Sequence, residues 1–310
     1  MKAVFLDAAT LGHDVDLEPI EEVTGGLTCY PRTRPEEVVE RLRGFDTLLV
    51  NKVVIGREHF EACPELKTIA VVATGLNNID LQAANDHGVE VMNVTNYGRS
   101  TVSQHTMALI LALATRLLDY DRDVRAGRWG ESDMFCLMNH PIMELEGKTL
   151  GIIGYGDLGQ GLAERAKAFG MTVVLGCRPG QEPGTVDGYE RIPLDYLLET
   201  ADVISLHCLL TESTRNLIGK KELERMKPRA LLINTSRGGL VDEAALAEAL
   251  RNGEIAGAGF DVLTEEPPRN GNPLLAGDIP NLIVTPHSAW ASREARQRIV
   301  EITAENLASL

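Results

Sequence analysis

An apolar run, Thr149–Ile153, passes directly into Gly154-x-Gly156-x-x-Gly159, and this into an amphipathic stretch with Leu162, Ala163, Ala166 and Phe169 on one side. A strand, a tight glycine turn and a helix in that order restrict the fold sharply. Strand and helix must pack closely, and the turn must leave room at the first amides of the helix. The same alternation of short apolar runs and longer amphipathic stretches covers nearly all 310 residues, which predicts an α/β chain with parallel strands. In the first third, strands are expected at Lys2–Asp7, Leu27–Tyr30, Thr47–Asn51, Thr68–Ala73 and Glu90–Asn93, with helices at Pro35–Leu42 and Leu81–His87. After Gly147 a second series follows: Thr149–Ile153, Thr172–Leu175, Val203–His207, Ala230–Asn234, Gly257–Phe260 and Leu282–Val284. Two series predict two lobes. One helix from about Thr101 to Arg125, with Val102, Leu109, Ile110, Leu113 and Leu117 at three- and four-residue steps, is expected to join them. A last helix, Ser292–Leu307, has no strand after it and is expected to pack back on the first lobe.

Composition removes several classes of function. With 45 acidic and 30 basic residues the net charge is −15, a surface that repels phosphate backbones and anionic lipids, so neither nucleic acid nor membrane is an expected partner. No apolar run reaches the roughly 18–20 residues of a membrane span, and Lys2–Asp7 reads as a first strand rather than a signal peptide. The five cysteines are scattered without a CxxC, which suits free thiols in a reducing cytoplasm better than disulfides or a zinc site. HExxH, EF-hand, Walker A and GxSxG patterns are all missing, and no metal is expected.

The glycine loop itself has the layout that a dinucleotide pyrophosphate needs. Gly154 makes the turn, Gly156 allows close backbone approach, Gly159 lets the helix pack, and the helix opens at Asp157 and Leu158. About 20 residues further on, an acid normally accepts the ribose hydroxyls of NAD. Cys177 stands there, 18 residues beyond Gly159, and is followed by Arg178. Without a carboxylate, and with a guanidinium adjacent, either NAD(H) or NADP(H) fits.

Three further islands end predicted strands: Leu232–Glu243 with Arg237, Gly259–Pro268 with Asp261 and Glu266, and Val284–Trp290 with His287. Strand ends are where open α/β sheets place ligands. Hydride reduction of a 2-keto acid asks for a bidentate cation to hold the carboxylate and polarise the carbonyl. It also asks for a proton donor near neutrality and a carboxylate to orient that donor. Arg237, His287 and Glu266 supply this set. Taken singly, a surface arginine, a core histidine and a solvated glutamate are commoner explanations.

The islands Ala73-Thr-Gly-Leu-Asn-Asn-Ile-Asp80, the Gly154 loop, Leu206-His-Cys, Asn234-Thr-Ser-Arg-Gly, Asp261-Val…Glu266-Pro-Pro and Thr285-Pro-His-Ser-Ala-Trp290 occur in fixed order. By them the chain resembles the D-isomer-specific 2-hydroxyacid dehydrogenase family over essentially its full length. His140-Pro-Ile and Asn272-Pro-Leu-Leu bring it nearest to the glycerate dehydrogenase (hydroxypyruvate reductase) type. The resemblance implies an α/β fold of two Rossmann-like lobes with parallel sheets. A flavodoxin-like substrate lobe would span residues 1–98 plus 288–310, and a dinucleotide-binding lobe 99–287. It implies Arg237 for substrate binding and polarisation, His287 as acid/base, Glu266 as its partner, and backbone amides near Thr74, Gly75 and Leu76 for the substrate carboxylate. Asp261 is implied near the nicotinamide, with further cofactor contacts at His207, Cys208, Thr235, Ser236 and Ala289, and a homodimer through the cofactor lobe. The implied reaction is NAD(P)H-dependent reduction of hydroxypyruvate or glyoxylate, or oxidation of D-glycerate. An NAD(H)-sensing corepressor on the same fold is the alternative. A formate-type enzyme is disfavoured by Glu266, where glutamine is expected. Leu209, where proline is common, predicts a looser loop after the strand ending at His207.

Overall fold

The apolar runs of the first third pair as five parallel strands in the computed structural model, which describes residues 1–310. They are β1 (Ala3–Phe5), β2 (Leu27–Cys29), β3 (Thr47–Val50), β4 (Thr68–Val71) and β5 (Glu90–Asn93), in the order β2-β1-β3-β4-β5. That is the order of flavodoxin-type doubly wound sheets. Alternate side chains enter opposite layers, as a pleated strand requires. Val4, Leu48, Val50, Ile69 and Val71 pack on one face, while Phe5, Leu49 and Ala70 meet Ile299, Val300 and Leu307 of the last helix, Arg293–Ala308, on the other. That helix therefore belongs to the first unit, Met1–Gly98 with Trp290–Leu310. Ser292 caps it, its hydroxyl accepting the Ala295 N–H.

The second unit, Arg99–Ala289, holds an eight-stranded sheet. Its strands are β6 (Thr149–Ile153), β7 (Thr172–Gly176), β8 (Gly184–Val186), β9 (Tyr189–Ile192), β10 (Val203–Leu206), β11 (Leu231–Asn234), β12 (Gly257–Phe260) and β13 (Leu282–Val284). The order is β13-β12-β11-β10-β6-β7-β9-β8. The chain leaves β6 toward β7 and returns on its other side at β10, so the strand order reverses beside β6. At such a switch point the loops diverge and leave a crevice at the carboxyl ends of the strands.

Four readings needed correction. The sheet is not wholly parallel, because β8 and β9 form an antiparallel hairpin. Its turn, Asp187-Gly188, has φ of 49° and 81°, the left-handed pair that an Asp-Gly turn favours. The expected helix from Thr101 to Arg125 is two helices, Arg99–Ala114 and Leu117–Arg125, separated by Arg116 at φ 56°. The apolar stripe ends at Leu113, and Leu117, which had prolonged it in the sequence, is 59% exposed. Short helices at Glu18–Thr24 and Arg57–Ala62 escaped the pattern. The second unit also runs to Ala289 rather than residue 287, since the Ser288 and Ala289 amides donate to the Asp261 carboxylate. No helix is long and apolar enough to cross a membrane.

Candidate active site

The site is built from the loops that leave β6, β10, β11, β12 and β13 at the carboxyl edge of the second unit's sheet. Gly154 has φ +102°, and a Cβ there would lie 2.5 Å from both the His207 carbonyl carbon and the Cys208 nitrogen. A Cβ on Gly159 would strike the Gly154 carbonyl oxygen, whereas one on Gly156 would meet nothing within 4 Å. Two glycines thus let the backbones close up, and the third leaves bare backbone bordering open space where the helix Asp157–Ala168 begins. A dinucleotide pyrophosphate fits that arrangement.

Two buried polar atoms beside this turn, His207 Nδ1 and Arg178 Nε, have no protein partner. Buried donors and acceptors are nearly always paired, so both point to a polar ligand. Burial pushes the His207 imidazole down to about 4, which keeps it neutral at physiological pH. Its Nε2 lies 2.9 Å from Ser205 Oγ. Burial raises the Cys208 thiol, and the Arg178 charge opposes that rise, which places the guanidinium on the same side as the His207–Cys208 turn. That turn is fastened, not loose: Ser236 Oγ donates to the Cys208 carbonyl at 2.7 Å and Thr214 Oγ1 to the Leu209 carbonyl at 2.7 Å. Cys177 ends β7 almost buried, its N–H donating to the Ile192 carbonyl at 2.9 Å.

Asn234, wholly buried at the end of β11, shapes the next turn. Its Oδ1 accepts the Ser236 N–H at 3.0 Å, its Nδ2 donates to the Arg237 carbonyl at 2.9 Å, and its own carbonyl accepts the Asp261 N–H at 2.9 Å. Thr235 Oγ1 lies 3.0 Å from Thr106 Oγ1. Arg237 is exposed, with Nη1 on the Ser236 carbonyl at 2.7 Å. Gly238 presses against the Leu263–Thr264 peptide so closely that any Cβ would collide with it, and this fixes the Arg237 turn to the loop carrying Glu266.

Glu266 Oε1 accepts the Leu263 N–H at 2.8 Å, and Oε2 is 2.6 Å from His287 Nδ1. Burial alone would raise the Glu266 carboxyl. The bonds from His287 and Leu263 and the charges of His287 and Arg237 outweigh it and hold the group below the usual carboxylate range. A carboxylate only accepts, so His287 Nδ1 carries a proton. His287 stands at φ 52°, an uncommon conformation for a side chain of its size. It is held there by Asp261, whose carbonyl accepts the His287 N–H at 2.8 Å.

All the residues read from the sequence for cofactor and proton chemistry thus lie in the second unit. Thr74, Gly75 and Leu76 belong to the first, after β4, where the Thr74 carbonyl accepts from Asn93 Nδ2 at 2.7 Å. Sequence reasoning met Asn234 and Gly238 only as members of an island, without a role, and missed Asp7. The last is buried at the end of β1, and its carboxylate accepts the N–H groups of Asn51, Lys52 and Val53 at 2.8, 2.6 and 3.2 Å.

Known proteins resemble this chain. Residues 107–289 match the model of the D-isomer specific 2-hydroxyacid dehydrogenase NAD binding domain. A glycerate dehydrogenase of Methylorubrum extorquens is 48% identical over 273 residues, covering 88% of this chain and 85% of its own. A hydroxypyruvate reductase of Blautia hydrogenotrophica is 37% identical over 311 residues, covering 99% and 96%. A solved acyclic imino acid reductase in complex with NADPH and D-Arg superposes with a TM-score of 0.81 at 30% identity, covering 96% of this chain and 93% of its own.

Proposed function

Because the chain belongs to the D-isomer-specific 2-hydroxyacid dehydrogenase family, we propose that Arg237, Glu266 and His287 carry its reaction and that the substrate pair is hydroxypyruvate and D-glycerate, or glyoxylate and its reduced acid. The protein is an NAD(P)-dependent oxidoreductase acting on the CH–OH group of a 2-hydroxy acid. The carrying observation is the 2.6 Å contact between Glu266 Oε2 and His287 Nδ1, which pairs the proposed acid/base group with a carboxylate. Arg237, with most of its guanidinium unpaired, would grip the substrate carboxylate and polarise the ketone. In the first unit, the amides at Thr74, Gly75 and Leu76 are proposed as carboxylate donors. Bound nicotinamide supplies the hydride. His287 Nε2 would give its proton to the substrate's carbonyl oxygen as negative charge develops there, and Glu266 would stabilise the imidazolium beforehand. Gly154, Gly156 and Gly159, with the amides opening at Asp157 and Leu158, would hold the pyrophosphate. Cys177 and Arg178 would meet the adenine ribose.

A homodimer through the second unit belongs to the same reading. Phe135 is 91% exposed, Met138 73% and Ile142 64%, and Trp129 and Met134 are exposed beside them. So many large apolar side chains exposed within one stretch of sequence support an association face. Five free thiols suit a cytoplasmic location.

The reading is tested by NADH and NADPH oxidation at 340 nm across a panel of 2-keto acids, using wild type and His287→Ala. Hydroxypyruvate or glyoxylate should rank first, and the variant should turn over at least ~10²-fold more slowly with cofactor affinity nearly kept. Near-normal turnover would remove His287 from the mechanism. Glu266→Gln replaces the carboxylate that favours the imidazolium, so the alkaline limb of keto-acid reduction should move to lower pH; an unmoved profile means the two side chains are not coupled. Cys177→Asp should raise the ratio of kcat/KM for NADH over NADPH at fixed ionic strength, because a carboxylate accepts from the ribose hydroxyls and repels a 2′-phosphate. An unchanged ratio places the ribose elsewhere. In sedimentation, wild type should run as a dimer and Phe135→Glu should shift it toward monomer; a monomeric wild type excludes the proposed interface.

A further inference from the structure

The helix Arg99–Ala114 holds the loop that carries His287 at both ends. Thr101 Oγ1 donates to the Ala289 carbonyl at 3.0 Å, and four residues later, on the same helical face, His105 Nε2 lies 3.0 Å from Thr285 Oγ1. Thr285 Oγ1 in turn lies 2.5 Å from Asp261 Oδ1. We propose that His105 is a positioning residue for His287, acting through Thr285 and Asp261. The inference rests on the reading of His287 as the acid/base group.

The direction of this relay follows from the chemistry of its members. An ionised carboxylate accepts only, and threonine has one O–H, which must go to Asp261. Toward His105 the hydroxyl can then only accept, so His105 Nε2 carries the proton. That N–H is present in the neutral tautomer and in the imidazolium alike, and the relay stands in either charge state. Asp261 is the point of convergence. Its Oδ1 also accepts the Ser288 N–H at 2.9 Å, its Oδ2 the Ala289 N–H at 2.8 Å, and its carbonyl the His287 N–H. Whatever sets the carboxylate plane therefore sets the backbone that follows His287. The backbone amides alone do not fix that plane, because they belong to the loop being positioned. Through Thr285, His105 ties it to a different element, the helix Arg99–Ala114. His105 Nε2 is also 3.6 Å from Asp261 Oδ1, and only about a quarter of its side chain, 24%, is exposed. The same helix reaches the other loop of the site through Thr106 and Thr235, so it is a common platform for His287 and Arg237.

A shift of about 1 Å in a reacting group can cost on the order of 10²-fold in rate, which sets the scale to expect. His105→Phe keeps a ring but loses the donor; His105→Gln keeps an N–H. The expected result for His105→Phe is a kcat at least ~10-fold lower with KM for the cofactor changed by no more than about twofold, and recovery to within about threefold of wild type in His105→Gln. Thr285→Val should lower kcat similarly, and adding His105→Phe to it should cost nothing more, since the relay is already cut. Long-range proton–nitrogen NMR of the cofactor-free protein should show His105 as the Nε2–H tautomer. A wild-type kcat in His105→Phe, additive losses in the double variant, an Nδ1–H tautomer, or a kcat loss that follows a falling melting temperature and is not recovered by glutamine would each overturn the proposal. The two levels separate cleanly. Near-normal turnover in His287→Ala removes the underlying reading, whereas an inactive His287→Ala beside a normal His105→Phe removes only the role of His105.

Discussion

Asp261 closes β12 with 1% of its side chain exposed, and a carboxylate taken that far from water costs several kcal/mol unless donors surround it. Here the donors are the Ser288 and Ala289 amides and the Thr285 hydroxyl, so the energy that makes the charge tolerable also defines one conformation of the loop after β13. The dependence runs both ways. His287 is held at φ 52°, which is uncommon outside glycine, and its backbone N–H goes to the carbonyl of the same Asp261. With the backbone fixed, the imidazole meets Glu266, and Glu266 is itself anchored by the Leu263 amide two residues beyond Asp261. One buried charge thus organises both sides of the candidate proton-transfer pair.

Close packing of bare backbone supplies the other constraint. Gly154 against His207–Cys208 brings the β6 and β10 loops together, and Gly238 against Leu263–Thr264 joins the β11 and β12 loops. No side chain can be interposed at either point. The loops of neighbouring strands consequently move as one piece, and residues far apart in sequence keep fixed relations. Asn234 does the same by hydrogen bonds, linking β11 to β12 through the Asp261 N–H and shaping the Arg237 turn with its side chain.

What sequence could and could not show follows from the range of each interaction. Strands whose apolar residues are buried on both faces, such as Thr47–Val50 and Leu231–Asn234, leave a local signature and were legible almost to the residue. So were the Gly154 turn and the Arg237, Glu266 and His287 islands, because chemistry restricts which residue types can serve there. The hairpin at Asp187-Gly188 carried a legible turn signal that the expected parallel pattern hid. Arg116 was harder: Leu117 continues the helical period in sequence, and only its exposure shows that the stripe has ended. His105 and Asp7 had no local sign at all, and Asn234 stood inside an island without showing its role. Each acts on a partner distant in the chain or through backbone groups that every residue possesses, as with Asp7 and the amides of residues 51–53.

Charge accounts for how a chain with a net charge of −15 can take an anionic substrate. At physiological salt the Debye length is about 8 Å, so the general surface charge contributes little inside the site and the few nearest groups decide. On the proposed roles these are Arg237, Glu266 and His287. Glu266 is held ionised by its neighbours and, when His287 is protonated, cancels that charge, so Arg237 leaves the group with a single net positive charge. A 2-keto acid monoanion neutralises it. Once His287 has given up its proton, Glu266 is no longer offset, and the same three residues with a hydroxy-acid anion carry a net negative charge. A bound nicotinamide would gain one positive charge on giving up its hydride and would offset that change, so the total charge of the site is conserved, and the reverse reaction requires His287 to begin neutral. On these roles the reduction takes up one proton through His287, so its direction depends on pH.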